Sequence, residues 1–475
     1  MTLVVASAQT TQTTAGTPLA PPPLVLSPTE QTIQDIKNPF PWMNWGGDLR
    51  VRNEYFNDLL TLNPNAYTHQ QDYFRFRGRV FASVTPVDDL SVNVRLTAEP
   101  REWMMPAGYT TYHGNEGMAW YYGIFDAMNV QWRNVATLPL TVTVGRQDVF
   151  LGDGWLVAEG TPYDGSWTTY IDSARLTYVF KEQHTTVDAI GIIQNAWNNA
   201  WIPIINASGA TTLTEQNEKG AILQVANTSI PEANLTGYFI YKNDSQVAAN
   251  GDNADIYTFG GRVSGLVQEH WKYSVEGAYQ CGQKQDNVLN QSGNNPTLSP
   301  SAQTTGFRNL NAYAGNTKLS YLFNDAYNDQ LSLSYEFLSG DNPNTKNDEM
   351  FDVLWGRWPR WSEIGLYMYA KETRIGQEGN LHRFGPTWSV SPTKKMTFST
   401  SYYALFSDQN VATRGATGLF TESGNFRGHF AQAVLKYTFS KHVNGHLWGE
   451  LLFPGDYYQY TTVIPFVRAE VTFTL

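Results

Sequence analysis

Asp72-Tyr73-Phe74-Arg75-Phe76-Arg77-Gly78-Arg79-Val80-Phe81-Ala82-Ser83-Val84 places arginine on alternate residues, with Phe74, Phe76, Gly78, Val80, Ala82 and Val84 in between. Successive side chains of a β-strand point to opposite faces. One face of this segment therefore carries guanidinium groups and the other is apolar. Against a protein core the charged face is a wet surface. Against lipid it lines an aqueous interior, and the strand belongs to the wall of a pore.

The bulk composition favours the second reading. Across 475 residues only 16% are charged and 14% are aromatic, with 39 Gly. This is an unusual mixture for the several soluble domains that such a length suggests. No run approaches the ~18 apolar residues of a transmembrane helix. The mean hydropathy of -0.37 does not exclude a membrane protein, because alternating barrel strands average to an unremarkable value. The single cysteine, Cys281, excludes a disulfide framework and the structural zinc patterns. A formal charge of -11 argues against bulk nucleic-acid binding but says nothing about the sign of an internal channel.

At the N-terminus, Leu3-Val4-Val5 and Ala6-Ser7-Ala8-Gln9 read as a signal-peptide remnant over 1–8. Residues 9–45 read as a flexible, Pro/Thr-rich periplasmic segment, with one short helical turn over Gln31–Lys37. From 46 to 475 the pattern is that of one barrel domain. Leu90-Val92-Val94-Leu96, Tyr257-Phe259-Gly261-Val263 and Val467-Ala469-Val471-Phe473 each alternate with polar residues. Short connections (85–89, 181–184, 231–233, 324–328, 391–394, 440–442) alternate with long ones (99–123, 148–169, 194–218, 242–255, 281–309, 408–425). Outer-membrane barrels sort short periplasmic turns and long external loops in this way.

Counting every plausible strand gives about 19, whereas closed bacterial barrels carry even numbers. The doubtful strand is 362–370. Assigning 339–379 to a large external or infolded loop restores the alternation of short and long connections. The expected fold is thus all-β: a closed antiparallel transmembrane barrel of about 18 strands, wide enough for an aqueous lumen.

Parity assigns faces. Arg50, Arg52, Arg75, Arg77, Arg79 and Arg95 point inward from three consecutive strands, and Arg133, Arg175, Arg262, Arg383 and Arg468 share that parity elsewhere. Arginine facing lipid near the midplane costs about 2–4 kcal/mol, which favours the inward assignment. Inward acids accompany them: Asp48, Glu54, Glu99, Glu276, Glu336, Glu450 and Glu470. Two readings stay open. The charges pair and neutralise a polar lumen, or unpaired arginines at a constriction guide an anionic solute. Candidate constriction residues are Trp103, Tyr109 and Trp120 in one long connection, and Arg357, Trp358 and Arg360 in another.

Catalytic signatures are missing. The sequence has no phosphate loop, nucleophile elbow or zinc-protease motif. His442 and His446 read as polar residues near the periplasmic end of the barrel. No enzyme activity, metal or cofactor is expected.

Gly145-Arg146-Gln147-Asp148 through Gly152-Asp153-Gly154-Trp155, followed by Asp172-Ser173-Ala174-Arg175-Leu176, resembles the bacterial alginate-export family of outer-membrane barrels. Gly340-Asp341 to Glu349-Met350-Phe351-Asp352-Val353-Leu354-Trp355 resembles that family's Gly/Asp-rich loop. His446-Leu447-Trp448-Gly449-Glu450 with Phe453-Pro454-Gly455-Asp456-Tyr457-Tyr458 resembles its penultimate segment. The resemblance spans 46–475. It implies a monomeric 18-stranded barrel that passes an anionic polyuronate through an arginine-lined constriction, a role falling here to Arg52, Arg77, Arg146 and Arg175. Strict alternation from Val142 and Val144 turns Arg146 outward unless a bulge intervenes.

The expected function is passage, in the export direction, of an anionic polysaccharide such as alginate or a related acidic solute. The alternatives are a general or anion-preferring diffusion porin, and a carbohydrate-binding or adhesion barrel with a plugged lumen. Expected partners are outer-membrane lipid, the barrel-assembly machinery and the anionic solute. Both termini are expected in the periplasm.

Overall fold

The computed structural model describes residues 27–106, 118–120, 122–159, 170–285, 306–357, 359–373, 376–410, 418–421 and 423–475. The expected signal-peptide remnant and the first part of the N-terminal segment lie outside them, as do Tyr109 and Trp358.

Eighteen strands run in chain order around one sheet. The first six are β1 (Met43–Asn57), β2 (Gln70–Val87), β3 (Leu90–Ala98), β4 (Gly123–Trp132), β5 (Leu140–Gln147) and β6 (Ile171–Phe180). The next six are β7 (Thr185–Gln194), β8 (Gln216–Ile230), β9 (Ala233–Gln246), β10 (Ala254–Val267), β11 (Trp271–Gln285) and β12 (Phe307–Leu322). The last are β13 (Gln330–Leu338), β14 (Leu381–Thr393), β15 (Met396–Phe406), β16 (Phe426–Ser440), β17 (Val443–Pro454) and β18 (Ile464–Thr474). Each strand is antiparallel to its neighbours, and β18 returns to pair with β1 from Asp48↔Thr474 to Phe56↔Phe466. The short piece Arg101–Met105 continues the pairing with β2 beyond β3.

Closure follows from the alternating side chains. Along β1, Asp48, Arg50, Arg52 and Glu54 are buried while Leu49 is 51% exposed. Val80, Val144, Leu223, Phe259, Leu447 and Val467 continue the exposed apolar band around the wall. A closed sheet satisfies each strand's backbone through its two neighbours and leaves no edge. This is what a lipid environment without hydrogen-bonding water demands. Connections 88–89, 133–139, 181–184, 231–232, 268–270, 323–329, 394–395 and 441–442 all fall at one end of the barrel. Exposed Trp132, Phe180, Trp271, Phe323, Tyr327 and Phe439 gather near that end.

Two local departures reset the alternation. Gly145 in β5 has φ +121°, and a Cβ there would stand 2.4 Å from the Met128 carbonyl oxygen. The distorted backbone turns Arg146 inward, where it is 1% exposed, and not outward as strict alternation from Val144 requires. Gly428 in β16, at φ +136°, lies at a register shift against β15 and likewise leaves Arg427 buried. The shift at Gly428 is a β-bulge, which re-aims a side chain by one residue. At Gly145 the positive φ turns the backbone while β5 keeps its register with both neighbours.

Residues 362–370 are not a strand. A helix, α2 (Glu363–Glu372), runs within the 339–380 connection, capped by the Ser362 hydroxyl accepting from the Gly365 N–H at 2.8 Å. Ahead of the barrel a second helix covers Pro28–Lys37, longer than the single turn expected from the sequence. It is termed αN. Its Glu30 carboxylate meets Lys441 and His442 of the 441–442 connection.

Two measurements follow. Gly145→Ala places a Cβ against the Met128 carbonyl at a left-handed φ, with an expected cost of about 1–3 kcal/mol. A lower temperature of conversion from the folded to the unfolded band on a gel reads it out. Hydrogen bonds from Lys441 and His442 hold the Glu30 carboxyl down to about 2. A depressed carboxyl stabilises the fold above its ordinary range, so the αN contact is complete above about pH 4.5 and is lost as pH falls toward 2. Glu30→Gln is expected to flatten that part of the conversion profile.

Candidate functional site

Inside the barrel, the first strands build a wall in which guanidinium groups and carboxylates interlock. Glu54 is fully buried and accepts from Arg468 at 2.8 Å and from Arg75 at 3.1 Å, while the Tyr73 hydroxyl donates to it at 2.6 Å. Arg52 stands 3.4 Å from the same carboxylate and donates to Glu470 at 2.7 Å. Asp48 accepts from Arg77 at 3.1 Å and from Arg79 at 2.6 Å. Glu99 lies between Arg50 at 3.7 Å, Arg75 at 3.3 Å and Arg101 at 2.8 Å.

The pairing continues around the wall. Arg95 grips Asp126 and Asp148, each at 2.8 Å. Arg146 bonds Asp172 at 2.9 Å with its guanidinium 3.5 Å over the Tyr170 ring, and Arg175 bonds Asp188 at 2.8 Å. Arg262 reaches Asp153 at 2.7 Å and lies 3.9 Å from Glu276. Arg383 pairs with Glu336 at 2.8 Å and stacks over Tyr403. Of the two readings left open by the sequence, the geometry carries the first: these arginines have carboxylate partners. Arg133 is the exception. It lies in the 133–139 connection, exposed, with its backbone N–H bonded to Asp89, so it is no part of the inner wall.

The 339–380 connection folds into the lumen and crosses it. On one side Trp355 is fully buried against Gly220 of β8, where a Cβ would stand 2.3 Å from the indole. Arg357 beside it donates to Glu159 at 2.8 Å and Glu218 at 2.7 Å. Lys242 of β9, fully buried, lies 3.1 Å from Asp244, 3.5 Å from Glu218 and 3.8 Å from Asp352. Gln280 of β11 exchanges two hydrogen bonds with the Asp352 backbone. On the opposite side α2 meets β16, β17, β18 and β1. Glu450 accepts from the backbone N–H groups of Glu363 and Ile364, which caps the helix. Glu363 pairs with Arg468 at 2.8 Å, Glu372 with Arg427, and Tyr367 packs on Phe56 at 5.7 Å. Trp361 donates to Glu378 at 2.7 Å.

The constriction candidates therefore separate. Trp103 is buried and stacked on Tyr73 at 5.1 Å, and Arg357 is anchored in the lumen. Trp120 is 67% exposed, and Arg360, itself exposed between buried Pro359 and half-buried Trp361, lies over the Phe150 ring at 5.1 Å. Lys242, Lys284, Arg308 and Arg427 escape a reading restricted to arginine runs. Parity flags Lys242, Lys284 and Arg308, whereas the Gly428 bulge hides Arg427. Among the described residues no group of histidine, cysteine and carboxylate side chains is arranged to hold a metal ion.

Glu54→Gln removes the charge shared by Arg52, Arg75 and Arg468. Breaking a buried ion cluster in this way is expected to cost about 3–5 kcal/mol. The thermal conversion midpoint measures it, and an unchanged midpoint would show that the cluster does not stabilise the wall.

A family model described as Alginate export matches residues 125–464. A sequence search of curated proteins finds no match. Among solved structures, Pseudomonas aeruginosa OccK8 (OprE) superposes with a TM-score of 0.55 at 11% identity, covering 91% of this chain and 98% of that one. Acinetobacter baumannii OccAB2 gives 0.53 at 9% identity, with coverages of 91% and 98%, and OccAB1 gives 0.53 at 11%, with 91% and 96%. At these identities the likeness is one of fold, an outer-membrane barrel. The match over most of the barrel settles the kinship: the chain belongs to the alginate export family, and it is an outer-membrane transport channel.

Proposed function

We propose that this channel passes an anionic polysaccharide, alginate or a related acidic solute, in the export direction, with the short connections and both termini in the periplasm. One observation carries the reading. On β1–β3 the inward guanidinium groups outnumber the inward carboxylates, and Arg468 of β18 and Arg427 of β16 draw part of their neutralisation from α2, an element that lies in the lumen. Glu363 and Glu372 present carboxylates to Arg468 and Arg427. A uronate carboxylate offers guanidinium the same planar pair of oxygens. The passing polymer exchanges for these carboxylates and so keeps the wall neutral while α2 yields.

A second reading draws on the same infolded segment. A lumen crossed by 339–380 suits a carbohydrate-binding or adhesion barrel that conducts nothing. Single-channel recording in planar bilayers separates the two. Transport predicts an anion-preferring conductance blocked by uronate oligomers. Glu363→Gln with Glu372→Gln is expected to raise the open probability, because α2 loses both ionic anchors. Arg75→Glu with Arg77→Glu is expected to move the reversal potential away from anion preference. No conductance from wild type or variants would sink the transport reading, and salt conductance without uronate block would indicate a diffusion porin.

A further inference from the structure

Glu372, the last residue of α2, holds its carboxylate in a cradle that the helix does not build. Its Oε2 accepts from Arg427 Nη1 at 2.5 Å and its Oε1 from Arg427 Nη2, so the guanidinium grips both oxygens. The Tyr457 hydroxyl donates a third hydrogen bond to Oε1 at 2.9 Å. The Tyr458 hydroxyl accepts from Arg427 at 3.3 Å, and the guanidinium lies 4.4 Å over the Tyr457 ring. All four side chains are buried. A carboxylate on the last turn opposes the helix dipole, so these contacts, and not the helix, hold Glu372 in place.

The cradle is fixed from the wall side. The bulge at Gly428 turns Arg427 inward, and the Arg427 carbonyl accepts from the Gly455 N–H at 2.9 Å. The Tyr457 N–H donates to the Phe426 carbonyl and its carbonyl accepts from the Thr421 N–H, both at 3.0 Å. Phe420 packs on both tyrosine rings, at 5.6 and 5.8 Å. None of these contacts involves α2, so they persist when the helix moves.

Arg427 is also incompletely used. Its buried Nε–H finds no acceptor among the described residues. It lines, with Ile364, Met368, Leu405, Phe430 and Leu452, an apolar pocket that α2 leaves against the wall. Arg468, the other wall arginine engaged by α2, keeps Glu54 of β1 when the helix is away. Among the described residues no carboxylate except Glu372 pairs with Arg427.

We propose that Arg427, Tyr457 and Tyr458 form a carboxylate-binding subsite, filled by Glu372 in the closed channel and by a uronate carboxylate when α2 withdraws. The guanidinium fork and the tyrosine hydroxyl match the planar pair of oxygens of either ligand. A buried guanidinium without a counter-charge is unstable, so the subsite demands an anion whenever the helix is away. It lies at the end of the barrel opposite the short connections, the exit for an exported polymer. The uronate and the direction rest on the reading under Proposed function, whereas the carboxylate cradle does not.

The test empties the cradle and refills it. Glu372→Ala in the full chain, folded into phosphatidylethanolamine–phosphatidylglycerol vesicles, removes the tethered carboxylate and leaves room for a small free one. Its heat-conversion midpoint on a gel is expected to fall below wild type and to recover saturably in sodium acetate, but not in sodium chloride of equal ionic strength. Adding Arg427→Met is expected to abolish the recovery. Equal midpoints of Glu372→Ala in acetate and chloride, or a recovery that survives Arg427→Met, overturn the subsite. Tyr457→Phe, which removes a single hydroxyl, is a second variant that does not depend on the folding of Glu372→Ala. With one hydrogen bond to a charged group lost, the uronate concentration for half-maximal block of open channels is expected to rise about tenfold. An unchanged value overturns the subsite. If wild type is silent or uronate blocks nothing, the transport reading falls, and the acetate recovery still decides the carboxylate subsite.

Discussion

A backbone surrounded by hydrocarbon has no water to bond, and this single constraint shapes the molecule. It forces the sheet to close, with β18 returning to β1. Closure then divides every strand into a lipid face and an inner face. Charges accumulate on the inner face because the other is forbidden to them. There the arginines meet a second constraint. Once the lumen is narrowed by an infolded segment, each guanidinium group needs a counter-charge nearby. Glu54, Asp48 and Glu99 supply it around the first strands, Glu470 of β18 supplies it across the closing seam, and Glu363 and Glu372 supply it from within.

Neutralisation and selectivity are compatible in such a wall. A guanidinium group bound to a fixed carboxylate on a neighbouring strand is committed. One bound to a carboxylate on α2 is committed only while α2 stays. Arg468 has both kinds of partner, Glu54 on β1 and Glu363 on the helix. Arg427 pairs with Glu372 and also donates to the Asn380 carbonyl at 2.9 Å, and both of these partners belong to the infolded connection. The two arginines thus differ in how much of their neutralisation survives a displacement of the helix.

Much of this was legible in the sequence, because period-2 alternation is a direct consequence of strand geometry. Strand number and the inward turn of Arg50, Arg52, Arg75, Arg77 and Arg79 follow from parity and connection length alone. Arg146 and Arg427 do not, since one positive-φ glycine beside each shifts the count by a residue. Arg133 fails for a simpler reason: its strand ends at Trp132, one residue earlier. The helix at 363–372 was hidden because Ile364, Met368 and Tyr369 are surrounded by wall on several sides, which erases the one-sided pattern of a surface helix. Pairing between distant segments, as in Arg357 with Glu159 and Glu218, leaves no local signature at all.

The union of first and last strands carries a temporal consequence. Arg52 and Glu470, bonded across it, are 418 residues apart in sequence. While the chain is being delivered, β1 has β2 on one side and nothing on the other, so it presents an open row of backbone donors and acceptors. Contacts this remote form late, because a long loop must close before they give anything back. The unclosed barrel is thus a sticky intermediate whose lifetime depends on when β18 arrives.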